Sequence, residues 1–124
     1  MRVAIVGSRS GVDLDQVQAF VRRLADEHPH TIVVSGGAPG VDRAAEGDAR
    51  DFGLSCEVIP ANWSTGNRLA GKERNWELVD SVDEVVAFWD GWSNGTAHAV
   101  TAATHLGKRV WVYCERGGRG RRGG

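Results

Sequence analysis

Hydrophobic and polar positions along the chain alternate between two periods. "RVAIVG" (residues 2–7) is a short β-rich run ending in glycine and predicts a first strand. Leu14, Val17, Val21 and Leu24 then recur at helical spacing behind Asp13, a capping residue type, and Pro29 closes that segment. "TIVVSG" predicts a second strand. Val41, Ala44, Ala45 and Phe52 share one face of a second helix, with Gly53 as its stop. "SCEVIP" predicts a short third strand, and "ANWSTGNRLAGKERNWELVDS" starts as loop and turns helical by about Lys72. "DEVVAFWDG" predicts a fourth strand, "GTAHAVTAATHLGK" a helix ended by Gly107, and "RVWVYC" a fifth strand.

Strands that alternate with helices, and that are too apolar for one wet face, predict a doubly wound α/β domain. Its core is a parallel sheet of about five strands with helices on both faces. The expected strand order is 3-2-1-4-5, by analogy with dinucleotide folds. A chain of 124 residues favours one domain. Residues 1–114 form it, and residues 115–124, "ERGGRGRRGG", lack any apolar side chain and are expected to be a disordered tail.

Charge separates the two parts. Four of the 15 basic residues and one of the 16 acidic ones fall in residues 115–124, which leaves the body at −4. The body is therefore no basic nucleic-acid surface; only the tail has that character. The longest apolar runs are too short to span a membrane, and "MRVAIVG" lacks a cleavage signature, so a cytoplasmic location is expected. Cys56 and Cys114 lie in or beside β-branched runs and read as buried free thiols, with a disulfide as the alternative that nothing requires. No Cys/His array supports a structural zinc, and no metal or required cofactor is expected. His28 and His30 flank Pro29 in a solvated turn.

In an open parallel sheet, ligands sit outside the carboxyl ends of the strands. Four of those ends are polar and glycine-rich: "GSRSG", "SGGAPGVDR", "PANWSTGNR" and "WDGWSNGT". Gly7, Ser8 and Arg9 lie at the first, and Ser35, Gly36, Gly37, Gly40, Asp42 and Arg43 at the second. Glycine lets backbone N–H groups approach an anion, and a following helix adds its positive end. A tight strand-to-helix turn alone would use the same glycines. The loop after the second strand is neither GxxxxGK[ST] nor GxGxxG. A second cluster before a helix, Asn94, Gly95 and Thr96, tips the reading toward a nucleotide phosphate. Arg9, Arg43 and Arg74, the last beside Asn75, offer forked contacts to phosphate. Asp42 pairs with Arg43 or meets a ribose hydroxyl. Trp63 and Trp92 fall in rim loops where a base can stack, whereas Trp76, Trp89 and Trp111 read as core. His98 sits one turn into the last helix, within reach of a phosphate or simply marking one helix face with His105.

"GSR", "SGGAPGVDRAAE", "PANW", "AGKERN" and "GWSNGTAHAV", in this order, resemble the SLOG superfamily of Rossmann-like nucleotide-binding domains, and within it the YspA/YpsA-related branch. The resemblance covers about residues 2–113. It implies phosphate-binding loops at the strand ends, a nucleotide or nucleotide-derived ligand, and a homodimer. The superfamily includes LOG proteins, which are similar to lysine decarboxylases and cleave the N-glycosidic bond of nucleoside monophosphates, nucleotide-signal sensors, and DprA, which binds single strands. Against the LOG signature PGGxGTxxE, Gly95 and Thr96 are retained, but Ala99 stands where the glutamate belongs. Arg74 matches the arginine of the preceding helix.

A sensor or sequestering protein for a nucleotide therefore ranks first. A hydrolase acting on the glycosidic or phosphate bonds ranks second, with Arg74, Glu46 or Asp90 as the residues available to it. A DprA-like nucleic-acid module using the Arg/Gly tail ranks third.

Overall fold

A computed structural model describes residues 1–66 and 68–114. The tail expectation falls on residues 115–124, outside the described residues. The elements alternate strictly: β1 (Arg2–Gly7), α1 (Leu14–Glu27), β2 (Ile32–Ser35), α2 (Val41–Asp51), β3 (Ser55–Val58), a 3-10 turn (Trp63–Thr65), α3 (Ala70–Asp80), β4 (Glu84–Trp89), α4 (Asn94–His105) and β5 (Arg109–Cys114). Each helix end follows from local chemistry. Asp13 caps α1 by accepting the Asp15 N–H, and Gly53 and Gly107 adopt φ of 81° and 72° just beyond α2 and α4. The third helix begins two residues ahead of the expected Lys72, at Ala70.

All five strands are parallel, in the order β3-β2-β1-β4-β5. This is the order expected from the sequence. Two crossovers run outward from β1 on one side, and the chain then returns to place β4 on β1's other side. The strand order thus reverses between β1 and β4, opening a crevice at their carboxyl ends.

Alternation along β1 shows how the two layers are built. Val3 and Ile5 pack under Val17, Val21 and Leu24 of α1 and Val41, Ala45 and Ala49 of α2. Ala4 and Val6 face Leu78 and Val79 of α3 and Ala99, Ala102 and Ala103 of α4. On that second face alanine meets alanine, Ala4 and Ala87 of the sheet against three alanines of α4, so the helix backbone rides close to the strands.

The two margins of the sheet differ from the expectation. Every residue of β3 is exposed, and all but Val110 in β5. Two helices per face cover the central strands but not the outermost ones. Cys56 and Cys114 are consequently exposed free thiols rather than buried ones, although Cys56 stands in register with buried Val33. Trp111 is likewise not core: it is 51% exposed on β5, beside buried Val86. Trp76 lies on the outer face of α3, with the rings of His98 and His105 set edge-on at 6.1 and 5.7 Å.

Candidate functional site

Residues from three strand ends and three helices converge on a cleft of about 230 Å³ at the β1–β4 crevice. Its walls include Gly7, Ser8 and Arg9 after β1, Gly36 and Asp42 after β2, Arg74 and Asn75 of α3, and Asp90, Ser93, Gly95, Thr96 and Ala99 around the start of α4.

The β1 end must be small. A Cβ on Gly7 would stand 2.4 Å from the Phe88 carbonyl oxygen and 2.6 Å from Val41 Cβ. Gly40, the residue before α2, has φ of 86°, and a Cβ there would lie 2.5 Å from the Arg9 carbonyl oxygen. These glycines let the β1 loop and the start of α2 touch backbone to backbone.

The loop after β2 is occupied by the protein itself. Asp42, 5% exposed in the first turn of α2, turns its carboxylate back into the loop. The Ala38 N–H donates to Oδ2 at 3.3 Å, and the Gly36 N–H also faces the carboxylate. The Gly37 N–H donates to Ser35 Oγ at 3.1 Å, and the Val41 N–H to the Ser8 carbonyl oxygen at 3.2 Å. Burial pushes Asp42 up to about pKa 6, against the pull of the Ala38 N–H and the Arg74 charge and with the push of Glu46. Arg74 Nη1 donates to the Gly36 carbonyl oxygen, and its Nε to Asn75 Oδ1 at 3.0 Å. A side chain at Gly36 would displace that guanidinium.

The start of α4 is arranged differently. Asp90 Oδ1 accepts the N–H groups of Trp92 and Ser93, each at 2.8 Å, and the Ser93 hydroxyl at 3.2 Å. These contacts, the Ser93 N–H foremost, hold the Asp90 carboxyl below the usual carboxylate range. Ser8 Oγ accepts the Asp90 N–H at 2.9 Å, and the Trp89 indole N–H donates to the Ser93 carbonyl oxygen at 2.9 Å. Asn75 Nδ2 pins α3 to the first turn of α4 through the Gly95 carbonyl oxygen, 3.2 Å away. The helix's own bonding begins with the Ala97 N–H on the Ser93 carbonyl oxygen, so the N–H groups of Asn94, Gly95 and Thr96 lie ahead of it. A Cβ on Gly95 would meet nothing within 4 Å. Backbone donors, a helix dipole and open approach thus coincide here.

The sequence-predicted residues sort by place. Gly7, Ser8, Arg9, Gly36, Asp42, Arg74, Asn75, Gly95, Thr96 and Asp90 line the cleft. Ser35 closes β2, Gly37 and Gly40 lie in the loop that follows it, and Asn94 opens α4, all beside the cleft. Arg43 is exposed outside the cleft, and its Nε donates to the Gly37 carbonyl oxygen at 3.3 Å rather than pairing with Asp42. Glu46 receives the Ser35 hydroxyl at 2.6 Å and lies beside Arg50 and Cys56 in a separate depression. Trp63 and Trp92 are 59% and 69% exposed on the rim. His98 shares Asn75 Nδ2, at 3.2 Å, and burial, then the charge of Lys72, lowers its pKa. Sequence reasoning missed Ser93, whose hydroxyl joins the Ser8 and Asp90 network; its place before α4 was the available signal.

The sequence model of the YspA, cpYpsA-related SLOG family (YAcAr) matches residues 1–66, from β1 through the second glycine-rich strand end to the rim turn. The chain belongs to this SLOG family. Its fold recurs in solved structures. DNA processing protein A from Helicobacter pylori, described for its single-stranded DNA binding mode, superposes with a TM-score of 0.74 at 20% identity. DprA from Streptococcus pneumoniae does so at 0.75 and 20%. The SLOG chain is covered to 90% in both, but spans only 64% and 49% of those proteins. TM1055 superposes with a TM-score of 0.73 at 26% identity, over 88% of this chain and 71% of its own. No curated protein matches the chain. Among the described residues, no helix is long and apolar enough to cross a membrane, and no cluster of His, Cys, Asp and Glu forms a metal site.

Proposed function

We propose that the cleft binds a phosphorylated nucleoside, with the phosphate at the start of α4, as a sensor or sequestering protein. The observation that carries this reading is the set of N–H groups at Asn94, Gly95 and Thr96, with open space over Gly95 and Arg9 and Arg74 in the same cleft. A volume of about 230 Å³ is below the roughly 300–1,000 Å³ of sites that enclose a drug-sized ligand. It suits a phosphorylated sugar whose base lies out at the rim, where Trp92 and Trp63 offer stacking faces.

Binding without turnover fits the residues better than hydrolysis. Ala99, at the position of the LOG glutamate, is 2% exposed and presents a methyl group to the cleft wall. A methyl group neither moves a proton nor balances charge on a sugar, and losing a general acid–base typically costs about two to four orders of magnitude in rate. Titration calorimetry with nucleoside mono- and diphosphates is the test. Binding that Gly95→Val weakens supports the reading, and no millimolar-or-better affinity across the panel overturns it. Base release from AMP by the wild-type protein, abolished in Arg74→Ala, promotes the hydrolase.

A second reading rests on the DprA-like fold and the two exposed rim tryptophans: stacking of single-stranded nucleic acid. Affinity for an oligonucleotide that far exceeds that for any mononucleotide and falls in Trp92→Ala selects it.

A further inference from the structure

The two glycine-rich strand ends look alike in sequence but offer a ligand opposite chemistry. At α4 the backbone N–H groups are open. At α2 they are taken by a side chain of the same chain: Gly36 and Ala38 turn their N–H groups to Asp42, Gly37 to Ser35, and Val41 to the Ser8 carbonyl. What the cleft meets at that end is a carboxylate, not a cradle of donors. Asp42 is buried, yet it is part of the cleft wall. A carboxylate has about four acceptor sites, more than its loop donors use. Arg74 does not cancel it by a direct ion pair; its guanidinium is committed to the Gly36 carbonyl and to Asn75.

We infer that Asp42 is a specificity-determining residue that accepts a hydrogen bond from a sugar hydroxyl of the ligand, so that the cleft selects ribonucleotides over deoxyribonucleotides. This rests on the phosphate lying at α4. With the phosphate there, the sugar spans the cleft toward α2, and a group with a hydrogen to donate must face Asp42. A second phosphate at that end would meet like charge, with the N–H groups of Gly36, Gly37, Ala38 and Val41 already engaged. A hydroxyl suits the acceptor, and a sugar lacking it leaves a buried carboxylate desolvated with an acceptor site unfilled, which is how a polar site rejects an analogue.

The experiment is a calorimetric titration of AMP, GMP, UMP and CMP, each beside its 2′-deoxy and 3′-deoxy counterparts, on wild-type protein and on Asp42→Asn. The wild-type comparison needs no variant, and the Asn side chain keeps an acceptor for the Ala38 N–H, so folding is checked by melting. The expected result is a tenfold or greater loss of affinity when one of the two hydroxyls is removed, and a loss of that discrimination in Asp42→Asn. Equal affinities for ribo and both deoxy forms overturn the inference and leave the phosphate site standing. Discrimination that persists in Asp42→Asn, or tighter binding of every nucleotide by that variant, overturns it too, the latter because it would put the phosphate beside the carboxylate. No binding by any nucleotide overturns the phosphate site, and this inference with it.

Discussion

Ser8 Oγ stands 2.7 Å from Ser93 Oγ and accepts the Asp90 N–H at 2.9 Å, so one side chain at the end of β1 ties down two residues that precede α4. Ser8 is buried. Ser8→Ala takes from the half-buried Asp90 N–H its acceptor, a net loss of about 0.5–1.5 kcal/mol. The expected outcome is a lower midpoint in urea with an unchanged m-value, together with weaker nucleotide binding. An unaltered midpoint would show that water replaces the hydroxyl at no cost.

Two glycines of the candidate site should respond oppositely to the same methyl group. Gly40 combines a left-handed φ with a Cβ position 2.5 Å from backbone oxygen. Gly40→Ala is therefore expected to cost at least about 2 kcal/mol, from strain and overlap that the backbone cannot relieve. Gly95 sits in the first turn of α4 with open space over it. Gly95→Ala should raise stability by up to about 1 kcal/mol, as alanine does in helices, while weakening AMP binding severalfold. Chemical denaturation and calorimetry on the pair separate a packing role from a binding role.

Asp42 gives the fold a definite pH signature. Its folded pKa is about 6 against an ordinary value of 3.8, so between these values the folded state holds more protons than the unfolded chain. Its contribution to stability therefore falls as pH rises from about 4 to about 6 and is flat above. Each pKa unit corresponds to about 1.4 kcal/mol, which puts the swing on the order of 2–3 kcal/mol. Asp42→Asn should remove this part of the slope in a pH series of denaturation curves. A wild-type curve that climbs through that window, unaltered in the variant, would contradict the assignment.

Both thiols should react with an aromatic disulfide reagent in the native protein, without denaturant, because both stand on uncovered margins of the sheet. Burial, then the charge of Glu46, pushes the Cys56 thiol up, so its rate should be slow at pH 7 and climb as pH is raised toward 9. Two equivalents released per chain is the expected end point. Fewer than two would mean that a margin is covered in solution.

The alternation of strand and helix was plain in the sequence because the period changes at capped boundaries, as at Asp13, Gly53 and Gly107. Strand order rested on the analogy with dinucleotide folds, and it is the order observed. What was not legible was how far the helices reach over the sheet. "SCEV" and "RVWVYC" have the composition of inner strands, yet they lie at the margins, so Cys56, Cys114 and Trp111 were assigned to the core. Within the candidate site, glycine spacing marked the rim where the cleft lies but not the occupant of each loop. Gly37, Gly40 and Arg43 enter the expected phosphate site by proximity in sequence alone. Their contacts are to Ser35, Arg9 and the Gly37 carbonyl, which depend on how loops meet in three dimensions.

The alanine-on-alanine seat of α4 bears on how binding is communicated. With Ala4 and Ala87 beneath Ala99, Ala102 and Ala103, the face of the helix that meets the sheet has no long side chains to repack and no room to sink. Its N-terminus is thus presented in finished form before any ligand arrives, and occupancy has little shape to change. Under the proposed function, what would change is the face of the molecule: a phosphate would cover the open end of a helix, and a base would shield the indole of a rim tryptophan. A protein that listens to this one would read that altered face, its charge and its lost aromatic surface, and not the swing of a domain.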